Sequence, residues 1–163
     1  MKSQKEERGK DVRIRIEISD DAQNEIVIKC RDADEKVRDI EKAIQNVLKQ
    51  SGEMTLYIGN TEYYVQKSEI LFFESNDQKV YAHTISGMYT TPYKLFELEE
   101  LMPACFVRIS KSVIANIYLI ASLNRELTGN GEITFKGCGK KTYFSRSYYK
   151  NLKQKIEEMR FGK

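Results

Sequence analysis

At 163 residues, 40% hydrophobic and 31% charged, the chain has material for one ordinary core plus a small appendage, and no apolar run near the ~20 residues a membrane span needs. The net charge of +3 hides an asymmetry: residues 104–163 carry 12 basic against 4 acidic side chains, whereas residues 54–103 carry 3 against 7. A basic third in a near-neutral protein suggests a phosphate-binding surface, while three widely spaced cysteines (Cys30, Cys105, Cys138) and a lone His83 argue against a disulfide framework, a zinc cluster or a histidine-based triad.

The charged opening from Met1 to Lys10 lacks the apolar core of a signal peptide, so residues 1–11 read as a disordered tail of a soluble, cytoplasmic protein. Residues 12–18 alternate, with Val12, Ile14, Ile16 and Ile18 against Arg13, Arg15 and Glu17, which predicts a half-buried strand. A polar turn follows, and Ile26-Val27-Ile28 reads as a second strand. Asp32 with Glu35 three residues on resembles a capping box. Val37, Ile40, Ile44, Val47 and Leu48 then share one helical face, closed by Ser51-Gly52. Residues 12–53 therefore form a strand-strand-helix appendage of α+β type, too small to bury its own stripe and suited to dimer contacts or to receiving a signal.

From Met54 the texture changes to short strands. Met54, Leu56 and Ile58 alternate, Gly59-Asn60 is a two-residue hairpin signal, and Tyr63 to Gln66 returns. Ile70 to Glu74 is an apolar run ended by the turn-formers Ser75-Asn76-Asp77, and Val80 to Ile85 and Met88 to Thr91 follow. A helix from Lys94 to Met102 stops at Pro103. Strands resume at Phe106–Ile109, Val113–Ile117, Glu132–Lys136 and Lys141–Phe144. A last helix opens near Ser145, with Tyr148, Leu152, Ile156 and Met159 on one face. Residues 54–160 are thus mainly β, in small antiparallel sheets, with one short internal helix and one C-terminal helix.

Catalytic constellations are missing. The chain has no glycine-rich phosphate loop of Walker or Rossmann type and no G-x-S-x-G turn. His83 sits in an alternating strand, and Cys105 reads as a small core residue rather than a nucleophile. The expectation is no enzyme, no cofactor and no metal. Basic residues set among hydroxyls are better represented. Arg108 and Lys111 lie three apart in the segment from Phe106 to Asn116, with Lys111 between Ser110 and Ser112. Arg146 follows Ser145 at the mouth of the last helix, where free N–H groups suit phosphate, with Tyr148 and Lys150 behind it and Lys140-Lys141 ahead.

These segments, in this order, resemble the LytTR-type DNA-binding domain of bacterial transcription regulators. The matching text is Ile70-Leu71-Phe72-Phe73-Glu74-Ser75, then Val80-Tyr81-Ala82-His83-Thr84, then Leu95, Leu98, Glu99 and Leu101-Met102-Pro103. Next come Phe106-x-Arg108-Ile109-Ser110-Lys111-Ser112-x-x-x-Asn116 and Ser145-Arg146-x-Tyr148-x-x-x-Leu152-Lys153. The resemblance implies about ten short antiparallel strands and a mode of reading in which loops enter successive major grooves. It implies base contacts from Lys79, with Asn76 and Gln78 as neighbours, from Lys111 and from Arg146. The expected phosphate contacts are Asn76, Ser112, Lys140, Lys141, Tyr148 and Lys150.

Ser110 stands where many relatives have histidine. Residues 1–53 are too short for the phospho-receiver domain many carry, so the resemblance is to stand-alone members. Double-stranded DNA and a second copy of the chain are the expected partners, with a small membrane protein from a neighbouring gene a further one in some such relatives. The alternative reading is an RNA-binding or protein-interaction module in which Tyr63, Tyr64 and Tyr81 stack or dock.

Overall fold

The computed structural model describes residues 26–50 and 52–162. The tail at 1–11, the alternating strand at 12–18 and the polar turn at 20–24 lie outside the described residues. The second expected strand does not form: Ile26, Val27 and Ile28 are exposed and irregular. Three apolar residues make no ladder without a neighbouring strand, and none lies beside them among the described residues.

Helix α1 (Glu35–Gln50) follows. Its cap is Asp34 rather than Asp32: Asp34 Oδ1 accepts from the Val37 N–H at 3.1 Å. The expected pairing of Asp32 with Glu35 placed the cap two residues early, and the carboxylate that reaches the third helical amide takes the role.

Ten strands then build two antiparallel sheets. Strands β1 (Glu53–Ile58) and β2 (Thr61–Gln66) form a hairpin whose last pair, Ile58 with Thr61, leaves Gly59-Asn60 as the two-residue loop. Strands β3 (Ile70–Asn76) and β4 (Lys79–Thr84) form a second hairpin, and β5 (Met88–Thr91) returns against β4. After helix α2 (Leu95–Leu101), β6 (Phe106–Arg108) and β7 (Val113–Asn116) complete a seven-stranded sheet of order β2-β1-β5-β4-β3-β7-β6. A 3-10 turn over Ile117–Leu119 leads to β8 (Ile120–Arg125), β9 (Gly131–Phe135) and β10 (Lys141–Phe144), a three-stranded sheet with β9 in the centre. Helix α3 (Arg146–Phe161) closes the chain. The mainly β, antiparallel architecture expected from the sequence is the one observed.

The pattern of burial explains the order. Phe73, Leu56, Ile70, Leu71 and Ile114 are fully buried where the middle strands meet, each worth about 1.5–3 kcal/mol of transferred apolar surface. The two sheets are joined through aromatic rings: Phe72 stacks on Phe135 of β9 with centroids 5.1 Å apart. Leu152 and Ile156 carry α3 into the same core. Asn116, buried at the end of β7, donates from Nδ2 to the Ile70 carbonyl and accepts the Tyr118 N–H, so one side chain ties the 3-10 turn to β3.

Candidate nucleic-acid interface

Three loops meet at one end of the molecule. The β3–β4 hairpin turns through Asp77 and Gln78, both with positive φ (48° and 66°), between the paired residues Asn76 and Lys79. This is the two-residue turn that matches the twist of a hairpin, made without the glycine that usually relieves it. The β6–β7 loop carries Ser110, Lys111 and Ser112. It is bound to the hairpin by the Ser75 N–H, which donates to the Ser112 carbonyl at 2.8 Å. It is bound to the mouth of α3 by the Ser145 N–H, which donates to the Ile109 carbonyl at 2.9 Å. An open cleft of about 480 Å³ lies between these pieces, lined by Glu74, Ser110, Ser112, Asn130, Thr142 and Ser145 among others.

Within the β6–β7 loop the two cations differ. Arg108 donates from Nε to the Ser110 carbonyl at 2.8 Å, from one terminal nitrogen to the Lys111 carbonyl, and from the other to Glu99 Oε2 at 2.9 Å. It holds the loop. Ser110 is buried, and its Oγ accepts the Ser112 N–H at 3.2 Å. Lys111, whose carbonyl Arg108 grips, has its own side chain exposed. The sequence pattern marks the pair as basic but gives no hint that Arg108 is a clasp, because two of its acceptors are backbone carbonyls and the third lies on another element.

At the start of α3, Ser145 occupies the capping position without a side-chain cap bond. Asn130, from the β8–β9 loop, supplies it instead: Asn130 Oδ1 accepts the Arg146 N–H at 2.8 Å. The Tyr148 N–H is taken by the Ser145 carbonyl, so two amides at this helix end are already occupied. The stem of Arg146 lies over Gly129, whose φ is a positive 92°; a Cβ there would stand 2.8 Å from Arg146 Cγ. Beside it, a Cβ at Gly131 would come within 2.2 Å of the Asn124 carbonyl and 2.3 Å of the Phe144 ring, so the β8–β9 loop can close on β10 only with glycine at this position.

The expected contact residues divide by geometry. Lys79, Lys111, Arg146 and Lys150 are exposed, and among the described residues none of their side chains forms an ion pair. Asn76 is exposed at the hairpin, and Ser112 and Tyr148 are half-buried. Lys140 and Lys141 sit elsewhere. Their end of β10 is the one opposite Phe144, which lines the cleft. The Lys140 ammonium donates to the carbonyls of Thr84 at 2.6 Å and Gly87 at 2.9 Å, at the end of β4 remote from Lys79. Lys141 pairs with Glu132 at 2.8 Å, and the pair holds the lysine's pKa up and the carboxyl's down. The phosphate contacts expected of these two lysines thus meet a structure that uses Lys140 as an internal tie between the sheets.

The tyrosines of the alternative reading do not form one platform. Tyr63 pairs with the buried Leu56 and packs on Tyr89, with centroids 5.3 Å apart, whereas its neighbour Tyr64 points to the opposite face of β2. Both are exposed, Tyr64 the more so, and the Tyr64 hydroxyl donates to Glu62 at 3.1 Å.

The family model for the LytTr DNA-binding domain matches residues 60–157, from the first hairpin through α3. The chain belongs to the LytTR family. Among curated proteins it is similar to HTH-type transcriptional regulators of Staphylococcus aureus, themselves uncharacterized, from strains NCTC 8325 and COL. Each is 32% identical over 111 residues, covering 68% of this chain and 75% of the relative. Among solved structures, a LytTr DNA-binding domain from Bacillus cereus aligns with a TM-score of 0.61 at 23% identity, over 65% of this chain and 97% of that one, which shows the shared fold. The described helices of this LytTR chain are each separated by strands, so no two of them stand in sequence as a helix-turn-helix pair. No described helix is long and apolar enough to cross a membrane.

Proposed function

We propose that this LytTR protein is a sequence-specific regulator of transcription that binds double-stranded DNA and reads major grooves with loops rather than with a recognition helix. What carries the reading is the joining of the three loops: Lys79, Lys111 and Arg146 project from segments that are hydrogen-bonded to one another through Ser75, Ser112, Ile109 and Ser145. Exposed cations without internal partners are cheap to bring to DNA, because no ion pair has to be broken first. Arg146 has the planar fork that fits guanine O6 and N7; Lys111 and Lys79 offer point charges that specify less sharply. Asn76, Ser112, Tyr148 and Lys150 anchor phosphates around them in this reading. The protein acts as a homodimer on two half-sites.

The test is fluorescence anisotropy on the promoter of the gene encoding the protein, against a scrambled duplex and over a salt series. Tight binding to the promoter alone is expected, with log affinity falling steeply as log salt rises. Arg146→Ala should cost about 1–3 kcal/mol and relax preference at one base position. Equal binding of parent and variant on both duplexes would end the claim.

A further inference from the structure

The hairpin between β8 and β9 borders the same end of the molecule and carries no cation in its turn. The Glu126 N–H donates to the Asn130 carbonyl at 2.8 Å and the Gly129 N–H to the Glu126 carbonyl at 3.0 Å, which closes Leu127-Thr128 into a tight turn with Gly129 at positive φ. Glu126, Asn130 and Gly131 stand on the wall of the cleft that Ser110, Ser112 and Ser145 share. Leu127, at the tip, is 109% exposed, whereas the other exposed large apolar side chains among the described residues lie between 37% and 66%. A single apolar side chain in solvent is ordinary by itself. This one sits on a turn whose position is fixed.

Three ties hold the turn to the start of α3. Asn130 Oδ1 accepts the Arg146 N–H at 2.8 Å, Gly129 lies under the Arg146 stem, and the Arg125 guanidinium, at the foot of the hairpin, stands 4.3 Å from the centroid of the Tyr149 ring. The Thr128 hydroxyl donates to Glu126 Oε2 at 3.3 Å, which occupies that carboxylate within the turn. Leu127 is the side chain left at the tip. It stands two residues from Gly129, and so within about 7 Å of the backbone on which Arg146 rests.

We propose that Leu127 is a specificity-determining residue of the DNA interface: it enters the major groove beside Arg146 and packs on the C5 methyl of a thymine within about two base-pair steps of the base that Arg146 reads. The chemistry of the turn selects this target. An uncharged tip gains nothing from phosphate, and the Glu126 carboxylate behind it repels phosphate. The apolar group that a major groove offers is the thymine methyl. A turn already held in place loses little freedom when it makes the contact. The inference rests on the DNA reading of the proposed function and adds to it a contact that is apolar and independent of salt.

Fluorescence anisotropy of the full chain on the promoter of the gene encoding it tests the contact. Each thymine within about two base pairs of the position that Arg146→Ala relaxes is replaced in turn by deoxyuridine, which lacks only the methyl. At one thymine the replacement should weaken the parent roughly fourfold, the worth of one buried methyl. Leu127→Ala should bind the unmodified promoter roughly tenfold more weakly and be indifferent to that deoxyuridine. It should keep the parent's salt slope and melting temperature, since the side chain touches neither phosphate nor core. A promoter-selective parent that is insensitive at every such thymine, or that Leu127→Ala matches on every duplex, would overturn the contact alone. So would a deoxyuridine effect that persists in the variant, or a variant whose only defect is in self-association by sedimentation, which would make the tip a protein contact. A parent that binds promoter and scrambled duplex alike would overturn the sequence-specific reading and this contact with it.

Discussion

Arg108 spends its whole guanidinium on the protein. Two of its nitrogens hold the carbonyls of Ser110 and Lys111, and the third meets Glu99 of α2, so its charge positions the backbone from which Lys111 projects. Removing it should leave two loop carbonyls without a donor and a carboxylate without a partner. Arg108→Ala is therefore expected to cost about 1–3 kcal/mol in urea unfolding and to weaken DNA binding through loss of loop geometry. Arg108→Lys keeps the charge but cannot span three acceptors in one plane, so it should behave closer to alanine than to the parent. A lysine variant with parental stability and affinity would reduce Arg108 to a diffuse positive charge. The exposed Lys111 was readable from its place between two serines. The clasp was not, since carbonyl acceptors carry no residue signature and Glu99 is brought near only by the fold.

The β3–β4 hairpin shows the same division at the level of an element. Its strands are plain in the apolar run and alternation on either side, and its turn-formers are plain as well. The turn itself falls on Asp77-Gln78, and both residues adopt positive φ, which costs a non-glycine residue on the order of 1 kcal/mol. Lys94 Nζ donates to the Gln78 carbonyl at 3.4 Å and helps hold the shape. Gln78→Gly should accordingly stabilise the protein by about 0.5–1 kcal/mol in thermal or urea melts. If the variant also binds its promoter less tightly, the strain is retained for the glutamine side chain; if it is destabilised, the turn is not strained as described.

Elements were legible where two faces differ in polarity and illegible where they do not. Strand β8 escaped the sequence pattern because it is an edge with only Ile120 fully buried, leaving too little alternation to see. Ile26-Val27-Ile28 misled for the opposite reason, an apolar triplet with no ladder beside it. The cap of α3 was invisible because Asn130 supplies it from another loop.

At the scale of the whole molecule, the junction of the two sheets is also its titratable point. His83 of β4 stacks on Phe72 with centroids 4.1 Å apart, and Phe72 stacks in turn on Phe135 of the smaller sheet. Lys140, which bridges the sheets, places a second positive charge nearby. Burial, and then that lysine, lower the His83 pKa from 6.5 to about 4. Glu74 Oε2 lies 3.5 Å from Nε2, close enough to offset part of the cost of a charged ring, yet Nε2 is buried without a hydrogen bond. The folded protein thus prefers neutral His83, whereas the unfolded chain takes up a proton near pH 6.5. Between these two values the unfolded state binds more protons, so stability must fall as pH drops through the window. The loss from this residue reaches up to about 3 kcal/mol once both states are protonated. His83→Phe keeps a ring against Phe72 and cannot titrate. Urea midpoints measured at pH 7 and pH 4.5 should therefore decline clearly in the parent and much less in the variant, with carboxylates such as Glu132 responsible for what remains. Equal declines in the two proteins would move the acid sensitivity away from the sheet junction.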